Sequence, residues 1–236
     1  MFVVSDLHLG NPSSTARERL VKFLGHAVDE QASVCINGDG FDLSQTRFSR
    51  LAADTLPVMS GLRRLVHAGL HVYYVVGNHD ILLEYFLSDF MFTQISPFLN
   101  VESGGRRIRV EHGHLYDPWY SRAPTSYQRA TRLAGYFLVA VPDIYRLWNR
   151  LTLAVDRSRF GRPHAPSPGT DSDTAYHRAA NTLIERGFDS VIFGHTHVAE
   201  WRGLTAGTYV NGGNWLRGNT YVDIDHGSVT LRAWQT

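Results

Sequence analysis

Near the start of the chain, three short runs of apolar and β-branched residues each end abruptly at a small or acidic residue. They are Phe2-Val3-Val4, Val34-Cys35-Ile36 and residues 70–76. Helical periodicity fills both gaps. Leu20, Phe23, Leu24, Ala27 and Val28 predict a helix over 14–31; Leu62, Leu65 and Val66 predict one over 51–68, capped at its C-terminus by Gly69. The order strand, helix, strand, helix, strand favours parallel pairing, because each chain return runs through a helix packed outside the sheet. In such sheets ligands collect beyond the carboxyl ends of the strands, where Asp6, Asp39 and Asn78 would lie.

The last third has a different rhythm. Runs at 190–193, 208–211, 220–224 and 229–234, divided by glycine-rich turns, favour a second, mostly antiparallel sheet. With Ile108-Arg109-Val110-Glu111 added, two sheets can stack face to face. Residues 115–171 interrupt this as an insert, helical over 127–153 and then a proline- and glycine-rich loop over 161–169. A length of 236 residues suits one sizeable core, so a single domain over 1–236 that contains the insert is expected.

Charge narrows the possible partners. A formal net charge of +1 argues against coating nucleic acid, and no stable nucleic-acid partner is expected. Lys22 is the only lysine, so the positive charge is almost all arginine. Arginines cluster in the insert at Arg122, Arg129, Arg132, Arg146, Arg150, Arg157, Arg159 and Arg162, against Asp117, Asp143 and Asp156. Cys35 stands alone in a buried-strand pattern, which fits a small hydrophobe in a reducing compartment. Met1 runs straight into the first strand, leaving no room for a signal peptide, and the apolar stretch 135–141 is too short to span a bilayer. The expectation is a cytoplasmic protein, with peripheral contact at the inner face of the membrane left open. The sequence carries no signal for an oligomeric state.

Metal-ligand chemistry is concentrated in short segments after these strands: Asp6-Leu7-His8, Gly38-Asp39, Gly77-Asn78-His79-Asp80, His112-Gly113-His114 and Gly194-His195-Thr196-His197. Taken singly, Gly38-Asp39-Gly40 reads as an ordinary turn, but two histidines at one strand end rarely both serve packing. Asp6 and His8 share a side if the chain is extended there, as do His195 and His197. A dinuclear site needs a bridging ligand, and Asp39 between two glycines is the best candidate. Carboxylate, imidazole and amide together suit Mn, Fe or Zn better than Mg or Ca. Two such ions roughly 3.5–4 Å apart stabilise both attacking and leaving oxygens, and lower the pKa of a bound water to about 7.

In residue type, order and approximate spacing the segments resemble the calcineurin-like metallophosphoesterase family. That resemblance implies a four-layer fold, a two-sheet β-sandwich flanked by helices. It implies that Asp6, His8, Asp39 and His197 hold one metal and Asp39, Asn78, His112 and His195 the second, with a pair of Mn ions (Fe or Zn as alternatives) and a bridging hydroxide expected. His79 would bind the phosphate and protonate the leaving oxygen, with Asp80 fixing its orientation. Asp42 could orient a metal ligand or cap the helix that follows; His114 could contact substrate or sit in a solvated turn.

Within the family the chain resembles the UDP-2,3-diacylglucosamine pyrophosphatases of lipid A synthesis. The likeness lies in Asp6-Leu7-His8-Leu9-Gly10, the Gly-Asp-x-x-Asp form of 38–42, the insert after His-Gly, and the run Tyr209-Val210-Asn211-Gly212-Gly213-Asn214-Trp215. His79 and His114 depart from the better-studied members, which carry arginine and aspartate there. Arginines of the insert, Arg122, Arg129 and Arg132 among them, suit a pyrophosphate. Tyr136, Phe137, Leu138, Val139, Tyr145, Leu147 and Trp148 could line an acyl groove, touch a membrane surface, or only pack on the core. The expected activity is therefore phosphodiester or pyrophosphate hydrolysis, of a nucleotide-linked lipid or else of a small soluble substrate. A nuclease and a non-catalytic metal-binding module are the remaining alternatives.

Overall fold

The computed structural model describes residues 1–11, 14, 16–43, 46–85, 92–140, 174–216 and 218–235. The first third follows the alternation expected of it: β1 (Phe2–Val4), α1 (Ala16–Asp29), β2 (Val34–Asn37), α2 (Phe48–His67) and β3 (Val72–Val75). The three strands pair in parallel, with Val3 opposite Cys35 and Cys35 opposite Tyr73. Gly69 takes a positive φ just past α2, as a C-terminal glycine should. A short strand β4 (Gln94–Ser96) extends this sheet beyond β3.

The second sheet contains β5 (Phe98–Ser103), β6 (Arg106–Glu111), β7 (Ser190–Phe193), β8 (Glu200–Leu204) and β9 (Gly207–Asn211), in the spatial order β5-β6-β7-β9-β8. It is mixed, which corrects the expectation of a mostly antiparallel sheet. Hairpins make β5/β6 and β8/β9 antiparallel, but β6/β7 and β7/β9 are parallel. The connection from β6 to β7 passes through the insert and α5 (Ala175–Glu185), and a crossover of that length returns the chain in the same direction.

The closing hairpin, β10 (Thr220–Asp225) and β11 (Ser228–Ala233), joins the first sheet rather than the second. β10 lies antiparallel on the open edge of β1, with Val3 opposite Val222. Side-chain alternation explains the choice. Val222 and Ile224 enter the core between the sheets, while Tyr221 meets Phe2 and Phe23 on the helical side.

Four layers result. Leu20, Phe23 and Leu24 of α1 and Leu62 and Leu65 of α2 pack with Phe2, Val4, Val34 and Ile36 on the outer face of the first sheet. Val3, Cys35, Val75, Ile108, Val110, Ile192 and Val210 fill the space between the sheets. Ala180, Leu183 and Ile184 of α5 cover Val191, Phe193 and Tyr209 on the far face of the second. Cys35 is thus a small apolar element of the central core, as its sequence context indicates.

The described part of the insert starts with α3 (Pro118–Arg122) and α4 (Pro124–Ala140), so its helical segment begins earlier than the expected residue 127. The rest of the stretch expected to be helical, the loop expected over 161–169, and Arg146, Arg150, Arg157, Arg159 and Arg162 lie outside the described residues. No helix among the described residues is long and apolar enough to cross a membrane.

Candidate metal centre

Two sets of parallel strands, β1-β2-β3 and β6-β7-β9, end at the same side of the sandwich. The loops that leave them carry all five segments singled out from the sequence. The backbone there is unusual: Asp6, His8, Asp39, His195 and His197 have φ of 55°, 46°, 51°, 66° and 60°. Each is a left-handed conformation that costs a non-glycine residue of order 1–3 kcal/mol and clusters at functional sites. It follows that Asp6/His8 and His195/His197 do not converge through the extended alternation assumed from sequence. Left-handed turns aim them instead.

Neighbouring loops hold those turns. Asp6 N donates to Gly38 O at 3.1 Å and His8 N to Asp39 O at 2.9 Å. Gly194 N donates to His112 O at 3.0 Å, and Trp215 N to Asp6 O at 3.1 Å. From the loop after β9, Asn211 Nδ2 donates to Gly194 O at 2.7 Å and Asn214 Nδ2 to His197 O at 2.7 Å. The Asn-Gly-Gly-Asn-Trp run therefore braces both histidines of Gly-His-Thr-His. Two glycines give the ligands room: a Cβ on Gly38 would lie 2.3 Å from the His112 ring, and one on Gly77 would lie 2.2 Å from Asp39 Oδ1.

Three groups of potential ligands converge: Asp6, His8 and His197; His8, Asp39 and His79; and Asp39, His112 and His195. Within each group the ligand atoms lie no more than 4.8 Å apart. Asp39 is common to the second and third groups and His8 to the first and second; of the two, only Asp39 has two oxygens with which to bridge a pair of ions. His8 Nε2 lies 3.1 Å from His197 Nε2, which lies 3.1 Å from Asp6 Oδ1. On the other side His112 Nε2 is 3.3 Å from Asp39 Oδ2. Asp6 Oδ1, Asn78 Oδ1 and His112 Nε2 are buried and without a hydrogen-bond partner. Buried polar atoms without a hydrogen bond on three separate segments are costly unless a cation serves them, so the residue set fits divalent ions.

The rings are held from behind. Asn37 O lies 3.0 Å from His112 Nδ1. A carbonyl only accepts, so Nδ1 carries a proton and Nε2 is the nitrogen left to face a cation. Asp42 Oδ1 lies 3.2 Å from His8 Nδ1 and 2.6 Å from His79 Nδ1, while its Oδ2 accepts from Asn11 at 2.8 Å. Asp42 therefore orients two rings, and it does not cap α2, whose N-cap residue is Arg47.

This corrects the role expected of Asp80. Its carboxylate accepts from Gly40 N at 2.8 Å, Gly77 N at 2.7 Å, Phe41 N at 3.4 Å and the Tyr74 hydroxyl, with no bond to the His79 ring. Asp80 ties the β2 and β3 loops together, and Asp42 orients His79.

Burial and charge shape the ionisation of the cluster. Burial opposes charge on Asp39, but His112, His79 and His8 outweigh it and hold the carboxyl well below its ordinary value. Burial likewise works against protonation of His8 and His112, yet the facing carboxylates raise them to about 9 and about 10. His79 is also raised: burial opposes this, and Asp39 and Asp42 overcome it. His114 is the opposite case. Buried beside His112 and edge-on to Tyr120 at 4.9 Å, it is pushed down to about 3 by burial and by His112. It forms the wall of the site and is not a solvated turn residue. Arg122, Arg129 and Arg132 are exposed on α3 and α4.

The sequence pattern of the calcineurin-like phosphoesterase family matches residues 1–199. The chain belongs to that family. It is a metallophosphoesterase, and its His/Asp clusters fit a dinuclear metal centre. It is 28% identical to a UDP-2,3-diacylglucosamine hydrolase of Nitrosococcus oceani over 201 residues, 83% of this chain and 78% of that protein. A UDP-2,3-diacylglucosamine hydrolase of Neisseria meningitidis is 27% identical over 231 residues, 94% of this chain and 92% of that one. An archaeal phosphodiesterase of known structure superposes with a TM-score of 0.50 at 14% identity, covering 99% of this chain and all of the other. That likeness is one of fold.

Proposed function

We propose that this metallophosphoesterase cleaves the pyrophosphate of a nucleotide-linked lipid of the UDP-2,3-diacylglucosamine type, with two Mn ions as its working metals. Asp6, His8, Asp39 and His197 would hold one ion, and Asp39, Asn78, His112 and His195 the other. The observation that carries the reading is the set of orphaned buried atoms, Asp6 Oδ1, Asn78 Oδ1 and His112 Nε2, each supplied by a different strand end. When bound, two divalent cations supply Lewis acidity and a water deprotonated near neutral pH.

His79 takes the proton-donating role. Its Nδ1 faces Asp42, its backbone N–H donates to Asp39 Oδ1 at 2.9 Å, and its Nε2 lies 3.9 Å from Asp39 Oδ2, beside the proposed bridge. A protonated ring there can bind a phosphate oxygen and give its Nε2 proton to the leaving oxygen. Asp42 stabilises the charged ring before that transfer.

Two features support the lipid-nucleotide substrate. Relatives bearing the name UDP-2,3-diacylglucosamine hydrolase align over most of the chain. The first helices of the insert, α3 and α4, also expose Arg122, Arg129 and Arg132 together with Trp119 and Leu133, a mixture suited to an amphipathic phosphate.

The test is a substrate panel with Mn: UDP-2,3-diacylglucosamine, bis(p-nitrophenyl) phosphate and single-stranded DNA, for the full chain and for a deletion of 126–166. The proposal expects lipid-nucleotide cleavage by the full chain only, with the generic diester cleaved by both. Equal loss of both activities in a folded deletion variant would refute selection by the insert. Preferential cleavage of DNA or of small diesters by the full chain would replace the substrate.

A further inference from the structure

Asp117 stands at the point where the chain leaves the core for the insert. One oxygen, Oδ1, accepts from Trp119 N at 2.7 Å and Tyr120 N at 3.0 Å, which makes Asp117 the N-cap of α3. The other, Oδ2, lies 3.1 Å from His195 Nε2. A carboxylate accepts and does not donate, so Nε2 carries the ring proton and Nδ1 keeps its lone pair. His195 is also fixed through its main chain, which sits at φ 66° and donates from N to Asp6 Oδ2 at 3.1 Å. Tyr127 of α4 and Tyr176 of α5 flank its ring at 6.4 Å and 6.3 Å.

The same construction recurs around the centre. His112 is held from behind by Asn37 O, and His8 by Asp42. In each, an oxygen faces one ring nitrogen and turns the other toward the metal cluster. His195 converges with Asp39 and His112 in the third ligand group. Oxygen partners of this kind fix the ring's tautomer and orientation, and their loss weakens metal binding about 10–100-fold.

We propose that Asp117 is a positioning residue. It holds His195 in the Nε2–H tautomer with Nδ1 presented to the second cation, and it ties the first turn of the insert to the metal centre. The inference rests on the reading of His195 as a metal ligand. It adds that the cap and the second cation share one carboxylate, so metal loading and placement of α3 are coupled.

Asp117→Asn separates the two duties. Asparagine caps a helix as well as aspartate does, so α3 keeps its N-cap. Its amide, however, presents an N–H to His195 Nε2, which favours the opposite tautomer and protonates Nδ1. Two readouts are used. In chelated protein with 15N-labelled histidine, with the His195 signal assigned by its absence in His195→Gln, wild type should show the Nε2–H form and Asp117→Asn the Nδ1–H form. In Mn titrations, Asp117→Asn should retain one tight ion and bind the other about 10–100-fold more weakly, at unchanged melting temperature of the chelated protein. Asp117→Ala should add a loss of stability from the missing cap.

An Nδ1–H form in wild type, or two Mn bound by Asp117→Asn with wild-type affinity, would overturn the inference. Failure of the wild type to bind Mn or to hydrolyse bis(p-nitrophenyl) phosphate would instead overturn the functional reading. The tautomer measurement on chelated protein still decides the role of Asp117 in that case.

Discussion

Asp42 and Asp80 are both buried and both lie in phosphoesterase segments, but they face different partners, and substitution should separate them. Asp42 faces two imidazoles, so Asp42→Asn removes the charge that holds His8 and His79. The expected outcome is a fall in kcat of roughly 10²-fold, in the range set for general acids, with weaker Mn binding and a near-normal fold. Asp80 faces backbone amides and a tyrosine, so Asp80→Ala leaves buried donors unpaired, at roughly 1–3 kcal/mol each in stability by urea denaturation. Equal kinetic defects with no loss of stability in Asp80→Ala would restore Asp80 as the orienting group. Protons compete with metal at the same residues. The folded-state values of about 9 for His8 and about 10 for His112 exceed the ordinary histidine value. Their contribution to the stability of the metal-free protein is therefore full below about pH 6.5 and is lost as pH rises through about 9–10. A ligand imidazole must be neutral, so Mn affinity should rise with pH up to the same range, with protons released on binding at neutral pH. Calorimetry in two buffers of different ionisation enthalpy measures the release; uptake without proton release would contradict the charge state assigned to the cluster.

Among the elements, the loop after β9 makes the clearest prediction. Asn211 donates to Gly194 O, which also accepts from Thr196 N at 2.7 Å, and accepts from Gly213 N at 3.0 Å, so Asn211→Ala leaves the buried Gly213 amide unpaired and removes the cross-loop donor to the turn that carries His195 and His197. The expected cost is roughly 1–3 kcal/mol for the unpaired amide, together with weaker Mn binding, because the loop is braced from this side. Urea denaturation with and without Mn checks both parts. This brace was visible in the sequence only as a likeness, since an Asn-Gly-Gly-Asn run states no partner. The parallel β1-β2-β3 core was legible because its spacing is local: apolar runs, helical periods and glycine stops all lie within one unit of chain. The placement of β10 and β11 was not legible, because short alternating strands fit either sheet, and the choice depends on Tyr221 meeting Phe2 and Phe23 far away in the chain. Strands β4, β5 and β8 were missed for a related reason: polar residues such as Gln94, Asn100, Glu102, Glu200 and Arg202 break the apolar signal of these short strands. Within the centre, ligand types could be read from the strand ends, but which carboxylate backs which ring could not. Asp42 reaches His79 and Asp117 reaches His195 across loops that are distant in sequence.

At the scale of the whole molecule, the centre joins the two sheets. Asp6, His8, Asp39 and Asn78 leave the first sheet; His112, His195 and His197 leave the second. A cation held by both sets would therefore cross-link the sandwich at its carboxyl edge, where five left-handed residues and several orphaned acceptors otherwise weaken it. An ion that binds only the folded chain stabilises it by about 2.7 kcal/mol at a hundredfold excess over Kd. For a chain of this size each kcal/mol raises the melting temperature by about 2–4 °C. Removing metal with a chelator should thus lower the melting temperature by about 5–10 °C, and readdition of Mn should restore it with a shift that grows with the logarithm of Mn concentration. Asp39→Asn tests the cross-link directly, because Asp39 belongs to two of the ligand groups and lies between the sheets' loops. It should abolish most of the Mn-dependent shift, whereas His197→Ala, which touches the first site only, should retain part of it. A full shift in Asp39→Asn, measured by scanning calorimetry at matched Mn, would mean that the ions bind elsewhere and do not bridge the sandwich.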